Sequence, residues 1–281
     1  MSELSAPDNI SLAISLSTPP ELLAKLAFET DPDTRCCVAG NAKCPEELLI
    51  QLAQDENPEV RARVAENQSA PVSLLVQLSE DWEDLVREGV AANPSCPIQL
   101  LTKLAVDDIG EVRSGAARNP DCPIELLVNL AVDKHWLVRS EVFSNPKCPI
   151  ELFEKFDIND DELDVCSSVI KSPKCPIRTL IAMANDPRHF VMSTAQSNLR
   201  FKDQAYWVQA VFEGFSLSTR LNENTSDKTC GDALLDAGLT DAYQAIQAAE
   251  ISRMVTQATS GSAESAVSGK TMASIADNLR M

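Results

Sequence analysis

The sequence predicts an all-α solenoid of about seven two-helix repeats of ~26 residues, on three observations. Prolines 19, 45, 71, 97, 123 and 149 recur at a constant step of 26, and Pro176 follows one residue late. Two leucines stand three and four residues after the proline, as in Leu48-Leu49, Leu74-Leu75, Leu100-Leu101 and Leu126-Leu127, and another stands seven after it, at Leu26, Leu52, Leu78, Leu104 and Leu130. An acid and an arginine then recur at a fixed spacing of six. A period in this range marks an array in which each unit buries its apolar face only against its neighbours. The chain is 44% hydrophobic but only 5% aromatic, so Leu, Val, Ile and Ala must build the core.

Residues 1–18 read as an N-terminal cap, with Asp8 or Asn9 capping a brief helix through Leu16. Residues 19–201 are the repeats. The first helix of each is expected to start at the proline, whose missing N–H suits position N1. Its apolar residues fall three, four, seven and eight positions on, one helical stripe, as in Leu100, Leu101, Leu104 and Ala105. It ends near an acid: Glu29, Asp55, Asp81, Asp107, Asp133 or Asp186. A short acidic loop follows, with a cap and N1 proline of its own in Asp31-Pro32, Asn57-Pro58 and Asp186-Pro187. The second helix is brief and runs to Asn41, Asn67, Asn93, Asn119, Asn145 or Asn198. Asparagine tolerates the left-handed conformation, so it is expected to stop the helix and turn the chain into the next proline.

The sixth unit departs from the pattern, with Phe153 and Phe156 for leucines, Asn159 for the acid and one inserted residue; the seventh keeps Asp186 and Asn198 but has Met192 at another recurrent slot. Residues 202–215 are expected to form a capping helix, with Gln204 to Phe215 covering the last repeat. Residues 216–281 read as a tail with a polar linker, a helix over 232–256 and a mobile Ser/Ala/Gly-rich end.

Net charge is −18, mostly on the repeats. A field of that sign repels phosphate backbones and anionic lipid headgroups, which argues against nucleic-acid and membrane-surface roles. Basic proteins or cationic ligands are its complement, although an acidic surface also simply keeps a protein soluble. There is no apolar run of eighteen residues to span a membrane, and no basic region before an apolar run to make a secretory signal. Nine cysteines, an odd number at no framework spacing, read as free thiols of a reducing cytoplasm.

Chemistry is sparse. The acid and the arginine six residues on (Glu29/Arg35, Asp55/Arg61, Asp81/Arg87, Asp107/Arg113, Asp133/Arg139) should stack into parallel ladders, each arginine forking onto a carboxylate of its own or the adjacent repeat. A brace between units is one reading and a basic stripe for anions the other; an acid for every arginine favours the brace. Cys44, Cys96, Cys122, Cys148 and Cys175 precede the repeat prolines, a whole unit or more apart. That is too far to share a zinc or a disulfide, so they read as buried packing. His135 and His189 lie in different repeats, and neither a catalytic grouping nor a Gly-rich phosphate loop can be built. No catalytic, cofactor or metal residue is therefore assigned. The inter-helix loops carry Trp82, His135, Trp136 and Phe190, which either anchor a partner or tuck onto their own helices.

The unit Asn119-Pro-Asp-Cys-Pro-Ile-Glu-Leu-Leu-Val-Asn-Leu-Ala-Val-Asp, followed by Val138-Arg139 and another Asn-Pro, resembles the leucine-rich repeat variant family over about residues 19–200. The resemblance implies a right-handed superhelix of α-helices paired with a second, short α- or 3₁₀-helix. The acid-to-arginine spacing is similar to that of HEAT and armadillo-like repeats, which implies the brace and a general role as a protein-binding scaffold; the absent catalytic grouping and the acidic charge make that scaffold non-enzymatic, with a partner offering a basic or amphipathic segment. An alternative that the resemblance leaves open is a HEAT-like enzyme or a carrier of a metal or iron–sulfur cofactor. Some relatives carry a cysteine-rich iron–sulfur module before the repeats; here no cysteine precedes Cys36, so that cluster is not carried over.

Overall fold

A computed structural model describes residues 6–158, 160, 162–221 and 228–257. Among them every regular element is a helix, apart from one isolated bridge between Arg220 and Thr229. The chain divides into two compact units, Met1–Lys174 and Cys175–Met281. The division falls inside the span that the period alone treats as one array.

The first unit opens with α1 (Ala6–Ile14), in which Asp8 and Asn9 lie inside the helix and not at its cap. Six helix pairs follow: α2 (Pro20–Leu26) and α3 (Pro32–Ala39), α4 (Glu46–Leu52) and α5 (Pro58–Glu66), α6 (Val72–Leu78) and α7 (Asp84–Ala92). Then come α8 (Ile98–Leu104) and α9 (Gly110–Arg118), α10 (Ile124–Leu130) and α11 (Trp136–Ser144), and α12 (Ile150–Glu154) and α13 (Leu163–Lys171). The second helix is the longer of each pair and is α-helical, nine residues against seven in α6/α7 and α8/α9. These second helices pack directly on one another along the stack, while each first helix rests mainly on the second helices beside it.

Packing explains the apolar pattern. Leu23, Leu49, Leu75, Leu101, Leu127 and Phe153, all four residues after a proline, are fully buried. Val60, Val86, Val112, Val138 and Val165 of the second helices packed beside them are equally buried. Each such side chain contributes about 1.5–3 kcal/mol, which helices of seven to nine residues need because they are not stable alone in water. Phe143 packs against both Phe153 and Phe156, with ring centroids 5.2 Å apart in each case. The sixth repeat thus fills its shorter first helix with aromatic volume.

The repeat proline is the N-cap of the first helix and not its first residue. Pro45, Pro71, Pro97 and Pro123 are extended (ψ 144° to 150°), and their carbonyls already accept the first helical N–H groups. Only Pro20 of the first pair, Pro32 and Pro58 stand at N1 or N2. Pro187 precedes its helix, which starts at His189 with Arg188 as cap.

The second unit holds α14 (Ile177–Met183), α15 (His189–Arg200), α16 (Gln204–Phe212), α17 (Cys230–Asp236) and α18 (240–257). Helix α15 runs straight through Asn198, so that asparagine does not end it. The single helix expected over 232–256 is two helices, broken where Gly238 takes φ +68°, a conformation that a side chain disfavours. The expected mobile end beyond residue 257 lies outside the described residues.

Candidate functional site: two ladders and an acidic helix face

Each ladder arginine reaches forward into the next repeat. Arg35, Arg61, Arg87 and Arg113 donate Nε–H and Nη2–H to both carboxylate oxygens of Asp55, Asp81, Asp107 and Asp133, at 2.7–3.1 Å. The third nitrogen stays home: Nη1 of Arg61 donates to the carbonyls of Asp55 and Glu56, and Nη1 of Arg113 to those of Asp107 and Asp108. The acid six residues earlier therefore meets its own arginine through its backbone, and the previous repeat's arginine through its side chain. Each aspartate also accepts a loop N–H two residues on, such as that of Glu83 on Asp81 or His135 on Asp133. That bond fixes the start of second helices lacking a side-chain cap.

The fifth rung corrects the sequence alignment. Arg139 forks onto Asp160 at 2.9 Å on both arms, so Asp160 and not Asn159 is the sixth repeat's acid, and the inserted residue precedes it. There the ladder ends, because Cys166 occupies the next arginine slot. Asp186, in the second unit, is instead bonded by Arg188 of its own loop at 2.8 Å.

Burial pushes the carboxyls of Asp55, Asp81, Asp107 and Asp133 up, but the arginine fork and the backbone N–H outweigh it and hold them below the usual carboxylate range. The arginine pKa values are raised in turn by the same forks.

A second ladder is made of the asparagines. Asn67, Asn93, Asn119 and Asn145 end their helices in extended conformation (φ −58° to −69°), and no non-glycine residue among those described has positive φ. The left-handed turn expected there does not form. The buried Nδ2 of Asn119 donates instead to the carbonyls of Ala91 and Asn93 at 2.7 and 2.8 Å, while its Oδ1 accepts the N–H of Asp121. Asn41, Asn67, Asn93 and Asn145 repeat this bonding, always 28 and 26 residues back. Ser172 stands in the sixth repeat's asparagine slot, and there Lys174 donates Nζ to Pro146 and Cys148 carbonyls at the same two separations.

The aromatic candidates scatter. Trp82 is 78% exposed, yet its ring lies under the Arg61 guanidinium at 4.8 Å and its indole N–H bonds Glu83, so it covers a ladder rung from outside. His135 and Trp136 stack on each other, with centroids 6.3 Å apart, and the His135 ring fills the space where Gly110 lacks a Cβ. Phe190 lies in the second unit, half exposed on α15.

Cys44, Cys96, Cys122, Cys148 and Cys175 are buried, and burial pushes these thiols up to about 11, or about 12 for Cys175. Such thiols are poor nucleophiles and poor ligands at neutral pH. No cluster of three or more metal-ligating side chains occurs among the described residues.

One surface leaves no periodic mark in the sequence. On α5, Glu59, Arg63 and Glu66 are exposed, while Ala62 beside them is buried. Further along, Glu111 and Arg118 are exposed on α9, and Glu88 of α7 and Glu141 of α11 are half-buried. The cations there are already engaged: Arg63 with Glu66 at 2.8 Å, and Arg118 with Glu88 at 2.9 Å and Glu141 at 3.8 Å. Burial pushes the Glu141 carboxyl up, against the pull of Arg118.

No protein-family model matches the chain, and no curated protein matches it. Among solved structures it is similar to a leucine-rich repeat variant with a novel repetitive structural motif, at 24% identity over 66% of this chain and 76% of that one, with a TM-score of 0.42. Two engineered proteins are similar at 18% identity over 86% of this chain, covering 77% and 97% of theirs, with TM-scores of 0.29 and 0.24. The helical-repeat architecture itself rests on the two ladders and the stacked helix pairs.

Proposed function

We propose that the chain is a non-enzymatic, cytoplasmic scaffold that uses the acidic second-helix face of its first unit to hold a basic or amphipathic segment of another protein. The observation that carries this reading is how the charges are disposed. Residues 1–174 hold fifteen Lys/Arg against thirty-one Asp/Glu, and five of those arginines are spent inside the ladder. The ladder arginines are thus no groove for phosphates, and what faces solvent is strongly anionic. Such a surface steers cationic partners and disfavours nucleic acid and acidic membranes. No helix among the described residues is long and apolar enough to cross a membrane. The exposed ring of Trp82 is proposed as a peripheral anchor of this face, together with the stacked His135–Trp136 pair, and Phe190, half-exposed on α15, as an anchor of the second unit taken by itself.

The test is co-precipitation from the native host with the intact chain and with a Glu59→Lys/Glu111→Lys chain, both exposed positions. A defined partner retained by the first and lost from the second is expected. Recovery of no specific partner, or of one indifferent to the charge reversal, would sink the reading.

A further inference from the structure

We propose that one part of that face, the groove bounded by α1, α3, α5 and α7, is the docking site, and that its occupant is a partner segment with cationic residues in the middle and apolar residues at both ends. This rests on the scaffold reading above and narrows it to one place and one pattern.

The groove encloses ≈ 860 Å³. Its two ends are apolar: Ile14 and Leu16, beside α3, are 60% and 54% exposed, and Leu85 of α7 is 40% exposed. Its centre is acidic, with Asp33 of α3 and Glu59 and Glu66 of α5 all lining it. The one cation lining it among the described residues, Arg63, is bonded to Glu66 at 2.8 Å. Three carboxylates against one guanidinium leave a net negative centre between two uncovered apolar patches. Exposed aliphatic side chains beside unneutralised carboxylates lose nothing by meeting a segment that brings methylenes to the ends and ammonium or guanidinium groups to the middle. Helices packed at about 8–10 Å put α1 and α7 some 24–30 Å apart, which about eight extended or eighteen helical residues would span.

The groove also carries its own reporter. Cys36 and Cys37 line it and are part-exposed, whereas the other seven cysteines are buried. A thiol reagent therefore marks this groove in the folded chain. Burial pushes the Cys36 thiol up to about 11, so labelling belongs at mildly alkaline pH.

The probe is a fluorescein-labelled synthetic eighteen-residue peptide with leucines at each end and lysines in the middle, titrated against the full chain by anisotropy. Two control peptides replace the leucines by serine or the lysines by glutamate. Saturable binding of the first peptide is expected, with each control at least about tenfold weaker. Glu59→Lys and Leu85→Ser should each weaken it about tenfold with unchanged circular dichroism, and Glu125→Lys, an equal charge change on the exposed part of α10, by less than about twofold. Bound peptide should protect Cys36 and Cys37 from maleimide in the unmutated chain, a readout that needs no variant.

Equal weakening by Glu59→Lys and Glu125→Lys, or no protection of the two thiols, overturns the groove. Binding that ignores the groove variants but is lost with Glu111→Lys overturns it too, while leaving the broader scaffold reading standing. No binding of any cationic peptide overturns both. A chain that is dimeric and becomes monomeric with Leu85→Ser makes a second copy the occupant, and overturns the partner proposed.

Discussion

Arg61 holds Asp81, twenty residues ahead, through Nε at 2.7 Å and Nη2 at 3.0 Å, and ties down its own loop with the nitrogen that remains. One side chain thereby fixes two successive repeats, with both partners about nine-tenths buried. Asp81 in turn bonds the backbone that starts α7, whose Arg87 repeats the operation on Asp107. The stack is held by a chain of such relays, each spanning one interface.

The first consequence concerns stability. Arg113→Ala strands Asp133 in a largely buried position without its fork, and should cost about 3–5 kcal/mol. Arg113→Lys keeps the charge but not the two-pronged geometry, and should recover only part of that. Urea denaturation of the three proteins checks both; a loss below about 1 kcal/mol for the alanine variant would mean that the rung behaves as a surface pair.

A pH dependence follows from the same rungs. The Asp107 carboxyl is held below its unfolded value, so its contribution is fully present above about pH 4 and is lost as pH falls through the lower folded pKa. Asp107→Asn removes this titration. Below about pH 4 the wild-type stability should therefore drop towards that of the variant, and the difference between them should shrink with acidification while staying constant from pH 5 to 8. Chemical denaturation of both proteins between pH 2 and 8 measures the difference directly, so that changes in overall charge repulsion largely cancel. A gap that widens as pH falls would contradict the sign.

How much of this could be read from residues alone depends on how far each side chain reaches. The leucine slots were legible because burial repeats every 26 residues and leaves the same imprint each time. The arginines and acids are legible as a pattern, but not as pairs: the period leaves a carboxylate of the same or of the adjacent repeat equally open, and only stacking shows that the fork closes over twenty residues onto the next repeat. Asn119 misled for the same reason. Asparagine after a helix suggests a local left-handed turn, yet the side chain is spent on carbonyls 28 and 26 residues earlier, a demand invisible within its own repeat. The proline stands one position earlier than expected because a residue lacking N–H suits the cap as well as the first turn. The groove of α1, α3, α5 and α7 leaves no signature in the sequence because its lining residues differ from repeat to repeat, and periodicity records only what stays the same.

Asn119→Ala should cost about 2–4 kcal/mol, because it leaves two carbonyls and one N–H without their partner at a buried site. Asn119→Asp is nearly isosteric but turns the donor into an acceptor facing two other acceptors. At pH 7 it should be at least as damaging as alanine, and it should improve on acidification as protonation restores a donor. Equal stability of the Asp variant and the wild type at pH 7 would show that the carbonyls find other donors.

The close stacking of second helices makes a final prediction about two glycines. Gly115 lies on α9 where a Cβ would come within 2.7 Å of the Glu88 carbonyl oxygen and 3.2 Å of the Ala91 Cβ, both on α7. Backbone cannot yield as a flexible side chain can, so the helices would have to part. Gly115→Ala should therefore destabilise by about 1–3 kcal/mol, although alanine is intrinsically the better helix residue by nearly 1 kcal/mol. Gly40, at the end of α3, offers the control. A Cβ there meets nothing nearer than the Cys36 carbonyl oxygen at 3.5 Å, and its φ of −78° suits any residue. Gly40→Ala should be neutral or stabilising by up to about 1 kcal/mol, since it limits the unfolded chain without straining the folded one. Thermal denaturation of the two variants gives opposite signs if interhelical distance sets the outcome, and the same sign if helix propensity does.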